Sequence, residues 1–171
     1  MPSGKTGERA VSAAAKLESA DLAEIKARLK AGRPGNYYFV ALLGLRNYEP
    51  LKIDARVRSG LSFSSLERFQ RNTSLSSSEI AVVIRLPART WARRKETGKL
   101  EPDESDRLLR ASRVFGRGLE LFEGDADEAR QWLLAAQPLL GNLIPFELAA
   151  TDIGALEVER LIGRLEHGIP S

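Results

Sequence analysis

An all-α fold is what this 171-residue chain predicts. Ala, Leu, Glu and Arg, all good helix formers, are abundant. Apolar residues recur at three- and four-residue steps, while runs that alternate apolar and polar are scarce. Apolar residues make up 43% of the chain but aromatics only 6%, so the core must be mostly aliphatic. The length suits one ordinary domain or two small ones.

Composition narrows the function classes. The chain has no Cys, which excludes disulfides and thiolate chemistry and fits a reducing cytosol. The start, Met1-Pro-Ser-Gly-Lys-Thr-Gly-Glu8, lacks the apolar segment of a signal peptide. The longest apolar run, Tyr37 to Leu45, is far too short to span a bilayer. A cytoplasmic protein with no membrane partner is the expectation. The net charge of +3 hides an asymmetry: residues 1–100 carry 19 Lys+Arg against 9 Asp+Glu (+10), and residues 101–171 carry 7 against 14 (−7). A basic front suits a polyanion, and an acidic back suits a different partner.

Taken in order, Met1 to about Ser19 is rich in small and charged residues and reads as mobile. A helix follows over Asp21–Ala31, with Leu22, Ile25 and Leu29 on one face, Asp21 as cap and Gly32 as terminator. Residues 1–35 are therefore read as a flexible arm with a possible helix, an amphipathic segment frayed from the body. Asn36–Arg46 is the most apolar run. Periodicity alone does not separate a short buried helix from a strand there, but the Leu-Leu-Gly-Leu ending favours a helix closing on Gly44. It is expected in the core, or in the core of a dimer. Leu51–Arg58 reads as a helix ended by Gly60. In Leu61–Gln70, Ser62 or Ser64 is the cap, Phe63, Leu66 and Phe69 point inward, and Arg68, Gln70 and Arg71 point outward. Asn72–Ser77 reads as a polar break, with Ser76 or Ser77 capping the next helix, whose apolar side is Ile80, Val83 and Ile84.

Leu75–Arg94 is similar to the helix-turn-helix of Xre-type regulators. Ala81 supplies the small residue where the helices cross, Trp91 anchors the second helix, and Pro87 presets its first turn. The turn position that usually holds Gly is Arg85, where a positive φ is costly, so a wider turn is the alternative. With Pro87–Thr97 as recognition helix, Leu86 and Trp91 point inward. Ala88, Arg89, Ala92, Arg93 and Lys95 face a groove, and Thr90 and Arg94 sit at the boundary within reach of phosphate. Six basic residues fall between Arg85 and Lys99 against one acid, Glu96. The candidate DNA-binding set is Arg85, Ala88, Arg89, Thr90, Arg93, Arg94 and Lys95, because arginine's planar fork pairs with guanine edges or phosphate oxygens.

The acidic half opens with Glu101-Pro-Asp-Glu-Ser-Asp106, a helix start favoured by the dipole. Leu108, Ala111, Phe115, Leu119 and Phe122 continue one face to about Glu123. Gly116 and Gly118 lie inside it. Without a preceding strand or a third glycine they are not a nucleotide loop, and close helix packing is their expected role. Asp125 caps a helix with Ala129, Trp132, Leu133 and Ala136 on its apolar side, ended by Pro138. Pro145–Ala150 is a short helix. Thr151 or Asp152 caps the last one, in which Ile153, Leu156 (or the face of Leu161), Val158, Ile162 and Leu165 are expected to pack.

At this point the ordered string Leu86…Arg89-Thr90…Arg93-Arg94, Leu100-x-Pro-x-x-Ser-Asp-Arg-Leu108, Ala129-x-x-Trp132-Leu133, Leu140-Gly141, Pro145 and Thr151-x-x-Gly154-x-x-x-Val158-x-x-Leu161-x-x-x-Leu165-x-x-Gly168 resembles the Xre/MbcA/ParS group of antitoxins, over about Asn36 to Ser171. The resemblance implies a helix-turn-helix DNA-binding region over 36–100 that binds its own operator, and a small helical toxin-binding domain over 101–171. The implied partner is a RES-domain toxin that consumes NAD⁺ or transfers ADP-ribose from it. The NAD chemistry would belong to that toxin, and this chain would need no cofactor. Arg160, Arg164, Glu166, His167, Gly168, Ile169, Pro170 and Ser171 are the candidate toxin contacts, the tail being able to reach into a basic nucleotide pocket. Trp132, Pro145, Gly154 and Val158 are expected to be structural. A homodimer or higher oligomer is expected.

An enzyme is not the reading. His167 is the single His, no second His or Cys exists to build a metal site, and no nucleophile elbow or phosphate loop is present. The competing class is a stand-alone transcription regulator whose acidic half oligomerises or senses a ligand.

Overall fold

A computed structural model describes residues 18–168. Helices α1 (Ala20–Lys30), α2 (Pro50–Ser59), α3 (Phe63–Thr73), α4 (Ser77–Ile84), α5 (Ala88–Thr97), α6 (Pro102–Leu121), α7 (Ala126–Leu134), α8 (Pro145–Leu148) and α9 (Asp152–Glu166) follow in order, with short 3-10 helices at Tyr38–Leu43 and Pro138–Leu140. The described residues form no strand, only isolated bridges between Ser62 and Lys99 and between Gln137 and Leu143.

The organiser is α6. It packs against the Tyr38–Leu43 helix, α2, α4, α7 and α9. Its inward face carries Leu108, Ala111, Val114, Phe115 and Leu119, all fully buried, and Phe115 meets Phe69 edge-on at 6.2 Å and 83°. One hydrophobic core runs from Ile25 to Ile162 without a break at the charge boundary near Leu100. The two glycines of α6 admit close neighbours: a Cβ would stand 2.7 Å from the Phe39 Cβ at Gly116 and 2.9 Å from Leu133 Cδ1 at Gly118. The helix closes at Leu121, with Phe122 as its cap.

Several expectations change at the N-terminal side. The cap of α1 is Ser19, whose hydroxyl accepts from the Leu22 amide, and not Asp21. Asp21 instead is the second residue of the helix, in its first turn, and is 3% exposed. It accepts from Arg46 (2.5 Å), Arg68 (2.9 and 3.1 Å) and Asn72 (2.8 Å). With Ile25 fully buried as well, residues 18–35 are not a frayed arm, and Arg68 is not simply a solvated cation. Burial by itself raises the Asp21 carboxyl, but the hydrogen bonds from Asn72, Arg68 and Arg46 outweigh it and hold it below the usual carboxylate range.

The Tyr38–Leu43 segment is a 3-10 helix with all six residues buried, closing on Gly44 at φ +74°. That settles the helix-or-strand ambiguity and satisfies its apolar surface within the chain. The expected polar break at Asn72 is the last turn of α3. Asn72 donates to Leu42 O (2.9 Å) as well as to Asp21, and Thr73 donates to Phe69 O (2.7 Å), so both polar side chains are buried with partners. Ala136 lies beyond α7 and is exposed.

Candidate functional sites at the two ends of α6

The helix-turn-helix begins with a capping box: Ser76 Oγ accepts from the Glu79 amide (3.1 Å) and Glu79 Oε2 accepts from the Ser76 amide (2.7 Å). Helix α4 then ends at Arg85, φ +52° and ψ +50°. Its amide and that of Leu86 both reach the Ala81 carbonyl, the latter at 3.0 Å. This is the sharp left-handed turn, and the wider alternative is not adopted. An L-residue there costs roughly 1 kcal/mol. The turn is braced from outside, because Arg107 Nε donates to the Ile84 carbonyl at 2.6 Å, satisfying an acceptor orphaned by the helix end. Leu86 is buried behind the turn. Trp91 is half-buried and stands edge-on to Phe63 at 5.9 Å and 88°.

These anchors fix which side of α5 faces outward. Ala88, Arg89, Ala92, Arg93 and Lys95 are exposed, as is Arg85 at the turn, and Thr90 is half-buried at the edge. Among the described residues, Arg85, Arg89, Arg93 and Lys95 make no ion pair. Arg89 and Arg93 stand one turn apart on the outward face, after Arg85 at the turn, with the exposed acid Glu96 beside them; Lys95 falls four residues after Trp91, at the edge of that face. Arg94 does not belong to it. Its guanidinium forks onto Glu104, Nε to Oε2 at 2.8 Å and Nη2 to Oε1 at 3.0 Å, and both side chains are largely buried. The expected phosphate contact is therefore a strut between α5 and α6. Charge counting cannot separate it from its neighbours, because its partner lies ten residues on, at the third position of the next helix.

The same face of α6 continues toward the C-terminal half. Arg107, Arg110, Arg113 and Arg117 follow at steps of three, three and four, on one side of the helix. Arg110 donates to the carbonyls of Ala149 (3.0 Å) and Ala150 (3.3 Å), Arg113 to Glu159 (2.6 Å), and Arg117 to Glu166 (3.0 Å) and Glu120. Together with Asp103 and Asp152, five of the fourteen acids of residues 101–171 pair with this row.

On α9, the Thr151 hydroxyl caps the Gly154 amide at 3.1 Å. Gly154 lies against the Leu148 carbonyl so closely that a Cβ has no room. The buried face is Ala155, Val158, Leu161 and Ile162. Ile153 (74% exposed), Leu156 (40%) and Leu165 (43%) are at the surface, against expectation. Counting at 100° per residue, Ile153, Leu156, Arg160, Arg164 and His167 share the outward face. Arg160 is exposed and pairs only with Glu157 (2.6 Å), and Arg164 is exposed without an ion pair among the described residues. His167 Nδ1 sits 2.7 Å from the Gly163 carbonyl and Gly168 is exposed. Glu166 is turned aside into its pair with Arg117. Ile169, Pro170 and Ser171 lie outside the described residues. Sequence reasoning missed Ile153 and Leu156 as surface residues. The signal was present: α9 carries two apolar faces, and the one with four members is the one that is buried.

Comparison with known proteins follows this division. Residues 52–113 match the family described as Antitoxin Xre-like helix-turn-helix domain. Residues 117–168 match the family described as Antitoxin Xre/MbcA/ParS C-terminal toxin-binding domain. The matches meet inside α6 and not at the charge boundary near Leu100. An Antitoxin Xre of Photorhabdus laumondii subsp. laumondii is 35% identical over 120 residues, spanning 70% of this chain and 81% of that protein. One of Yersinia enterocolitica is 36% identical over 114 residues, spanning 66% of this chain and 77% of that protein. One of Pseudomonas putida is 28% identical over 118 residues, spanning 68% and 72% respectively.

Proposed function

Starting from the fact that the chain belongs to the Xre family of antitoxins, we propose that it neutralises a RES-domain toxin by covering its active site and represses its own operon by binding operator DNA. The observation that carries this reading is the placement of two unlike, unsatisfied surfaces at opposite ends of α6. One is the exposed face with Arg85 at the turn and Arg89 and Arg93 on α5, with Lys95 and Thr90 at its edges and Ala88 beside it. The other is the outer side of α9 within the toxin-binding match.

On the DNA side, α5 enters the major groove. Arg89 and Arg93 read base edges, and Arg85 and Lys95 contact phosphate. Arg94 is withdrawn from that set by Glu104. Operators read by helix-turn-helix proteins are commonly palindromic, which favours a homodimer or higher oligomer. On the toxin side, Arg160, Arg164, His167 and Gly168 remain contact candidates, together with Ile169–Ser171. Glu166 acts through Arg117 instead. NAD⁺ chemistry is assigned to the toxin, and catalysis by this chain is not part of the reading. The compartment is the cytoplasm. No helix among the described residues is long and apolar enough to cross a membrane.

The test is co-expression with a RES-domain protein encoded beside this chain. Co-purification of the two and relief of growth arrest support the reading. A neighbour without a RES domain, or no complex, favours the stand-alone regulator. Removing residues 169–171 is expected to weaken relief while leaving DNA binding intact; unchanged relief means the tail is not the blocking element.

A further inference from the structure

Seven large apolar side chains stand exposed among the described residues, and five of them, Leu139, Leu143, Ile153, Leu156 and Leu165, fall between residues 117 and 168. The helix-turn-helix side has only Leu51 and Val82. Uncovered apolar surface is thus concentrated in the half that matches the toxin-binding family. Within it, α9 alone presents a helical pattern. Ile153, Leu156 and Arg160 are spaced i, i+3 and i+7 on the outward side, while Ala155, Val158, Leu161 and Ile162 hold the same helix to the core. A helix fixed from behind and bearing apolar anchors in front is preorganised for insertion into a groove. Asp152 and Glu157 flank the apolar end, and Arg160 and Arg164 follow toward the C-terminus.

We propose that the outer face of α9, with Ile153 and Leu156 as its apolar anchors and Arg160 and Arg164 as its charged end, is the surface that docks the toxin. The inference rests on the antitoxin reading above. The occupant it commits to is the toxin, presenting an apolar groove whose far end is acidic. Ile153, the most exposed of the anchors on this helix, enters the groove as a knob, and Leu156 closes the contact one turn on. Arg160 exchanges its exposed pairing with Glu157 for a carboxylate of the partner, and Arg164 finds one there. Exposed rim charges of this kind set the rate and register of encounter, so the apolar anchors carry most of the affinity.

The experiment co-expresses the tagged full-length chain with the RES-domain toxin encoded beside it and compares wild type with Ile153→Asp/Leu156→Asp and with Leu51→Asp as a control on the opposite half. Both side chains of the double variant are at the surface, so it is expected to fold, which helical circular dichroism and an unchanged melting temperature check. The expectation is that the double variant loses toxin affinity by about tenfold or more and no longer relieves growth arrest, while Leu51→Asp behaves as wild type. Arg164→Glu is expected to slow association more than it speeds dissociation. Toxin binding unchanged in the double variant overturns the proposal. So does a change confined to self-association, which would make the face a contact between copies of this chain. If wild type itself captures no toxin, the antitoxin reading fails, and that outcome is distinct from failure of this face alone.

Discussion

Arg85, Arg94 and Asp21 are three charged residues whose roles diverge once their surroundings are known. Arg85 occupies a left-handed turn at φ +52°. Replacing it with Gly removes roughly 1 kcal/mol of Cβ strain but adds unfolded-state entropy worth about 0.5–1 kcal/mol, so a net gain of no more than about 0.5 kcal/mol is expected in urea denaturation. The same change removes a charge from the proposed DNA face, and the salt dependence of duplex binding should flatten by about one unit of slope. Arg94 and Arg93 are adjacent in sequence and differ in surroundings: Arg94 forks onto Glu104, and Arg93 is exposed without an ion pair among the described residues. Arg93→Ala with Arg89→Ala is expected to reduce operator affinity, by about 1–3 kcal/mol for each lost base contact, with the melting temperature unmoved. Arg94→Ala is expected to lower the melting temperature, because it leaves Glu104 without its partner, and to leave the salt slope unchanged. Equal salt-slope losses from both would mean that Arg94 does reach phosphate.

Asp21 adds a pH dependence. Its folded pKa is depressed below the unfolded value of about 3.9. Its contribution is therefore fully present above about pH 4 and is lost as pH falls through the folded value. Asp21→Ala strands Arg46, Arg68 and Asn72, and is expected to cost about 1–3 kcal/mol at neutral pH. It should also reduce the drop in stability between pH 5 and acid. A variant with wild-type acid sensitivity would show that other carboxylates dominate there.

At the scale of elements, legibility followed the chemistry of each segment. Capping was readable at α4, α7 and α9, where Asp125 stands as placed and Ser76 and Thr151 are the caps chosen from Ser76 or Ser77 and from Thr151 or Asp152, but not at α1, where Ser19 and not Asp21 caps. The inward stripe Phe63, Leu66 and Phe69 was readable because three bulky residues share one spacing. Segments whose polar residues are satisfied at long range were not. Asn72 looks like a loop residue, yet it is buried because Asp21 and Leu42 O complete its hydrogen bonds; Thr73 beside it bonds locally, to Phe69 O one turn back in α3. The basic and acidic blocks were visible, but not the fact that the arginines of α6 spend themselves on α4, α8 and α9. On α9 both apolar faces were visible and the choice between them needed the partner helix. Gly154→Ala tests that choice, since the added methyl must push α9 away from the Leu148 carbonyl. A loss of roughly 1–3 kcal/mol is expected, and an unchanged denaturation midpoint would mean that α9 sits less tightly than described.

For the whole molecule, one core and one long helix bind two surfaces into a single body. Arg107 braces the turn of the helix-turn-helix, and Arg110, Arg113 and Arg117 brace the toxin-binding half from the same side of α6. In the proposed division, DNA recognition lies on α5 and toxin recognition on α9, with no residue shared. The most direct measurement takes Arg89→Ala/Arg93→Ala, which alters neither the core nor α9, and determines its affinity for operator DNA and for the toxin in parallel. The expected result is operator binding weakened by tenfold or more, at about 1.4 kcal/mol per factor of ten, with toxin affinity equal to wild type. Loss of toxin binding in that variant, or operator binding that survives intact, would contradict it.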